Sequence, residues 1–144
     1  GAPLKAYTRV CSEPIEVHNN IQNPDIVIVL DDTLLESTDV CEGMHDDGTL
    51  IFNTTKTVEE IRKAAQVPDS MKVAVVDASG IAMDTIKKDM PNTPIVGALA
   101  KVTGLFPPEL VKERLKITFG KKFSQEMIDA NLASVDRAYQ EVQE

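Results

Sequence analysis

Three acidic side chains and one amide carry most of the chemistry this sequence offers. Asp31 and Asp32 follow the apolar run Ile26 to Leu30, and Asp77 follows another, Val73 to Val76. Ligands of open α/β sheets bind outside the carboxyl ends of strands, so acidic groups there suit a metal ion or a ribose. The plainer role is local: Asp32 caps the helix after it and Asp77 starts a turn, and spacing alone favours that role. Asn53, Thr54 and Thr55 end a further strand-like stretch and suit the same crevice or a turn. Asn92 lies just before a helix start at Thr93-Pro94, where free N–H groups favour anions and amide-rich ligands. Simple capping by Asn92 or Thr93 competes with that role, and taken alone the residues favour capping.

An acidic pair after one strand and a single aspartate two strands later is also the pattern of a phosphoacceptor receiver domain. PIVGALA, residues 94–100, would pass for the next receiver strand. That strand should close on a Ser or Thr hydroxyl and a later one on a Lys. Here the stretch runs into Ala98 and Ala100, and no Lys-ending strand follows. A receiver is therefore the alternative reading, beside a free-standing small-molecule-binding module. His18 and His45 have no partner at metal-ligand spacing and read as solvated loop residues. Cys11 and Cys41 form no CxxC and read as buried structural thiols of a reducing cytoplasm. No GxSxG, HExxH, P-loop or GxGxxG occurs. No catalytic or metal-ligating residue is assigned.

These residues need elements to position them. Leu4 to Val10 alternates Leu4, Ala6, Thr8 and Val10 against Lys5, Tyr7 and Arg9. With Pro14 to Val17 it reads as a hairpin with one buried face. Ile26 to Leu30 reads as a strand buried on both faces. Thr33 to Met44 reads as a short helical region, and Thr49 to Asn53 as a second strand. Thr57 and Glu60 make a capping-box pattern opening a helix to about Gln66. A strand at Val73 to Val76 and a helix at Ile81 to Lys88 follow. The spacing then predicts a helix over Pro94 to Leu105 whose Gly97, Ala100 and Gly104 form a small-residue side for close approach. Pro107-Pro108 opens another helix, carrying Leu110, Val111 and Leu115. Ser124 caps the last, whose Ile128, Leu132, Val135, Tyr139 and Val142 form an apolar stripe. Strands alternating with helices imply an α/β fold, a parallel or mixed sheet flanked by helices with a helical C-terminal end.

The 144 residues, 42% hydrophobic and 26% charged, suit one soluble globular domain with a sizeable core. The net charge of −8 argues against a nucleic-acid or anionic-membrane partner. No apolar run approaches the roughly 18 residues that span a bilayer.

Six stretches together resemble the gamma subunit of the 2-oxoacid:ferredoxin oxidoreductases, the pyruvate enzymes most closely. They are GAP at 1–3, NPDIVIVLDDTLL at 23–35, EGMHDDGTLIFNT at 42–54, VAVVDASGIA at 73–82, MPNTPIVGALAKVTG at 90–104 and FGKKFSQEMIDAN at 119–131. Each is moderately specific; their order and spacing are highly specific. The resemblance implies a subunit of an enzyme that cleaves a 2-oxoacid with thiamine diphosphate. Carbon dioxide is released, electrons pass through iron–sulfur clusters to ferredoxin, and an acyl-CoA forms. It implies alpha, beta and delta partner subunits that hold the thiamine diphosphate and the clusters. The gamma chain itself is expected to help hold coenzyme A, in the cytoplasm, and not to turn over alone. Asn92 matches the asparagine of the family's NT pair, which the resemblance makes a coenzyme A contact. The family's first strand and glycine-rich loop, part of that contact, would precede Gly1. Residues 1–144 are thus expected to be a single gamma-type domain truncated at its N-terminus.

Overall fold

The computed structural model describes residues 3–144, so Gly1 and Ala2 of the GAP motif lie outside the described residues. Three parallel strands form one sheet: β1 (Ile26–Val29), β2 (Thr49–Asn53) and β3 (Lys72–Val76), in the order β1-β2-β3. Ile28 pairs with Ile51 and Ile51 with Ala74, so the strands are in step and their carboxyl ends finish together. Helix α1 (Val58–Ala65) lies between β2 and β3, and α2 (Ala78–Thr85), α3 (Pro94–Thr103), α4 (Pro108–Phe119) and α5 (Gln125–Glu141) follow β3. The α/β class and the helical C-terminal end are as the sequence implies.

The sheet divides the core in two because successive strand side chains point to opposite faces. On one face Ile51, Ala74 and Val76 pack with Ala78, Ile81, Ile95, Ala98 and Ala138 of α2, α3 and α5. On the other, Val29, Leu50, Phe52, Val73 and Val75 pack around Ile61 of α1. The most buried strand is β2, which lies in the middle with all but Thr49 buried. The sequence reading placed Ile26 to Leu30 in that position. Instead β1 is at the edge of the sheet, with Ile28 and Leu30 exposed.

The helix starts are largely as expected. Thr57 and Glu60 form the reciprocal capping box of α1, and Ser124 accepts from the Met127 N–H to cap α5. Gly97 meets the backbone of Val135 so closely that a Cβ would strike the Val135 carbonyl oxygen, and α3 and α5 touch there. Gly104 has a different role from Gly97: at φ +62° it ends α3 in the left-handed conformation that glycine adopts without strain.

Four further expectations are corrected. Residues 4–17 form no hairpin. The Arg9 guanidinium donates instead to the Val17 carbonyl and the Asn19 side chain, and Leu4 and Val10 are exposed. Alternation makes a strand only where a layer lies beneath one face, and none of the described residues supplies it. Within 33–44 only a 3-10 helix, Asp32–Glu36, forms. Turns then lead to Gly43 at φ +77°, pressed on the Gln22 carbonyl. Cys11 is exposed, not buried, and Cys41 is half-buried. Neither Asn92 nor Thr93 caps α3 with its side chain. A feature the sequence did not suggest lies on the outer edge of β3, where Val75 and Gln143 exchange two backbone hydrogen bonds of 2.9 Å.

Candidate functional site

The three strands finishing in step create an open cleft of about 440 Å³ at their carboxyl ends. Asp31 and Asp32 reach it from β1, Asn53, Thr54 and Thr55 from β2, and Asp77 and Ser79 from β3. Asp89 and Pro91, from the loop before α3, close one side. The sequence pointed to six of these residues, and the topology brings all six together.

Their individual roles differ from those expected. Asp31, rather than Asp32, caps the 3-10 helix: its Oδ1 accepts from the Thr33 N–H at 3.0 Å and the Thr33 hydroxyl at 2.7 Å. That leaves Asp32 to turn across the cleft. Its carboxylate accepts from the Thr54 hydroxyl at 2.7 Å and pairs with the Lys56 ammonium at 3.0 Å. The Thr54 hydrogen bond, with Lys56 behind it, holds the Asp32 carboxyl below its ordinary pKa against the opposing effect of partial burial. Asp77 caps α2 by accepting from the Gly80 N–H at 2.8 Å.

A second network fixes the floor. The buried Asn53 carboxamide donates to the Leu30 carbonyl at 2.9 Å and to the Ser79 hydroxyl at 3.0 Å, and accepts from the Ser79 N–H at 3.0 Å. The Ser79 hydroxyl in turn donates to Asp89 at 2.7 Å. Asn53 therefore ties the ends of all three strands, since Leu30 follows β1 and Ser79 follows β3. Ser79, Asp89 and Lys56 are the residues sequence reasoning missed. Lys56 stands beside the noticed Thr54-Thr55. Only the chain path brings Asp89 to Ser79.

Asn92 lies one residue beyond Pro91, outside the cleft lining, and is exposed. The N–H groups behind it are engaged: Ile95 donates to the Pro91 carbonyl at 3.0 Å and Val96 to the Thr93 carbonyl at 3.2 Å, while Pro94 has none. The helix start is thus not the open anion site expected. The Asn92 carboxamide has no hydrogen-bond partner among the described residues.

Chemically the cleft is a hydrogen-bonding surface. Ser79 has a carboxylate partner but no imidazole, and no three His, Cys, Asp or Glu side chains converge as a metal site among the described residues. His18 and His45 sit exposed in loops. The geometry also disfavours the receiver reading. A phosphoacceptor needs the acidic pair and the single aspartate on adjacent strands, as in the doubly wound 2-1-3 order. Here β2 stands between them, and strands lie about 4.8 Å apart. PIVGALA is the helix α3, not a strand.

The family profile described as pyruvate ferredoxin/flavodoxin oxidoreductase matches residues 1–141. The chain belongs to this family. It is 46% identical over 142 residues to a Thermotoga maritima protein named pyruvate synthase subunit PorC, covering 99% of this chain and 72% of that one. It is 40% identical to the pyruvate/ketoisovalerate oxidoreductases common subunit gamma of Pyrococcus furiosus, covering 99% and 75%. The crystal structure of pyruvate oxidoreductase subunit PORC from Thermotoga maritima superposes with a TM-score of 0.77 at 45% identity. That match covers 85% of this chain and 66% of the other. The resemblance drawn from the six motifs is therefore correct, and the receiver alternative falls. No helix among the described residues is long and apolar enough to cross a membrane.

Proposed function

We propose that this chain is the gamma subunit of a pyruvate:ferredoxin oxidoreductase, and that its cleft and Asn92 help position coenzyme A. The likeness to proteins named as PorC and common gamma subunits, along nearly the whole chain, carries this reading. Alpha, beta and delta subunits are its partners, holding thiamine diphosphate and the iron–sulfur clusters, with ferredoxin as the acceptor. The assembly works in the cytoplasm.

The cleft's donor set fits one part of coenzyme A better than the other. Asp31, Asp77 and Asp89 line it with negative charge, and Lys56 is already paired with Asp32. Phosphates are repelled there, whereas an uncharged arm bearing amides finds hydroxyls, carboxylates and the Asn92 carboxamide to bond. This chain's residues would bind and orient that arm. The bond-breaking chemistry belongs to the partner subunits.

Asn92→Ala in the assembled enzyme tests the residue cleanly, because Asn92 caps nothing. The apparent KM for coenzyme A should rise severalfold, with the KM for pyruvate and the melting temperature unchanged. An unaltered coenzyme A KM removes Asn92 from the site.

A further inference from the structure

We infer that the outer face of α4 and the turn after it dock an acidic face of another subunit of the same enzyme, an inference that rests on the gamma-subunit reading above. The observation is an apolar centre ringed by positive charge on an otherwise acidic chain. α4 has no buried residue. Its inner stripe, Val111, Leu115 and Phe119, is half-buried. Its outer face still carries Leu110, 42% exposed, and Ile117, 61% exposed, with Arg114 between them at helical spacing. Phe123, 49% exposed, continues the apolar surface beyond the helix, its ring edge-on to Phe119 at 5.0 Å.

Residues 108–123 hold five of the chain's 15 Lys and Arg but two of its 23 Asp and Glu. Among the five, Lys112 pairs with Asp136 at 2.9 Å. Arg114, Lys116, Lys121 and Lys122 are exposed and form no ion pair among the described residues. Attraction to the helix C-terminus accounts for cations at that end of α4. It does not account for Leu110 and Ile117 in water. An apolar centre with a charged rim is the anatomy of a protein interface, and the rim's sign selects an acidic partner. A nucleic acid or anionic bilayer fits less well. Glu109 and Glu113 interrupt the patch, and the rest of the chain repels a polyanion.

The test is co-expression of the full chain with tagged alpha, beta and delta subunits, reading gamma occupancy by native mass spectrometry across a salt series. The double variant Arg114→Glu/Lys121→Glu should weaken assembly roughly tenfold or more. Ile117→Ser should weaken it at every salt concentration. Both isolated chains should melt as the wild type does, since these side chains are exposed. Lys63→Glu, an exposed charge reversal on α1, should assemble normally. A double variant that assembles with wild-type affinity overturns the inference, as does an equal loss with Lys63→Glu. Binding of the wild-type chain to phosphatidylserine vesicles, lost in the double variant, also overturns it by making the face a membrane contact. A wild-type chain that joins no complex sinks the gamma-subunit reading itself, which separates the two failures.

Discussion

α3 and α4 begin alike and end in opposite environments. Each has proline in its first turn and no side-chain cap, and only a short loop separates them. Yet α3 buries six of its residues and α4 none. The difference lies in charge and side-chain size: α3 carries one charged residue in ten, α4 five in twelve. Ile95, Gly97, Ala98, Ala100 and Val102 give α3 a surface on which α5 can lie backbone to backbone. α4 has larger apolar side chains and lysines on successive turns, and meets α5 on one side only. An apolar helix with a small-residue side lets a neighbour approach closely, whereas a helix with charges on successive turns keeps one face in water.

The largest effect should separate the two helices directly. Ile95→Ala deletes a side chain 3% exposed in the core cluster beneath the sheet, and should cost about 3 kcal/mol in urea unfolding. The matching change on α4, Ile117→Ala, should stay within about 0.5 kcal/mol. Similar losses at both sites would mean that α4 is not a surface helix. A more pointed test is Gly97→Ala. In an exposed helix this change helps by up to ~1 kcal/mol. Here the new methyl meets the Val135 carbonyl, so α3 and α5 must separate, and a net loss of about 2 kcal/mol is expected. A stabilised Gly97→Ala protein would show that the contact yields.

The smallest effect contrasts the two helices with the cleft, where stability comes from charge rather than packing. The Asp32 carboxyl is held below its unfolded pKa by Thr54 and Lys56. Its contribution is therefore fully present above the unfolded value of about 3.9 and is lost as pH falls through the folded value. Asp32→Asn should flatten the acid limb of a stability profile below about pH 4 and change little in shape near neutrality. An unaltered acid limb would show that the Thr54 and Lys56 bonds do not hold the ionised form.

How much of this was legible in the sequence follows from how local each signal is. The capping boundaries at Thr57 and Ser124 depend on residues three apart, and both stand as read. The cleft residues were found because a strand-ending Asp or Asn is visible in the chain itself. Sheet order is not local. Ile26 to Leu30, IVIVL, is more apolar than Thr49 to Asn53, TLIFN, yet it is the latter that stands in the middle. The alternation of Leu4 to Val10 failed for the same reason, since it describes a face without saying whether anything covers it. At Asn92 neither the expected cap nor an open helix start forms, because turns through Pro91 and Thr93 take up the N–H groups first.

The packing of α5 on α3 has a consequence for synthesis. The groove around Gly97 is closed by residues such as Val135 and Ala138, which leave the ribosome well after Thr103. At ~5–20 residues per second the 38 residues from the end of α3 to the end of α5 take roughly two to eight seconds to appear. Through that interval the nascent chain displays Ile95, Ala98 and the apolar side of the sheet to solvent. Gln143, two residues beyond α5, must also have emerged before its two hydrogen bonds can seal the Val75 strand edge.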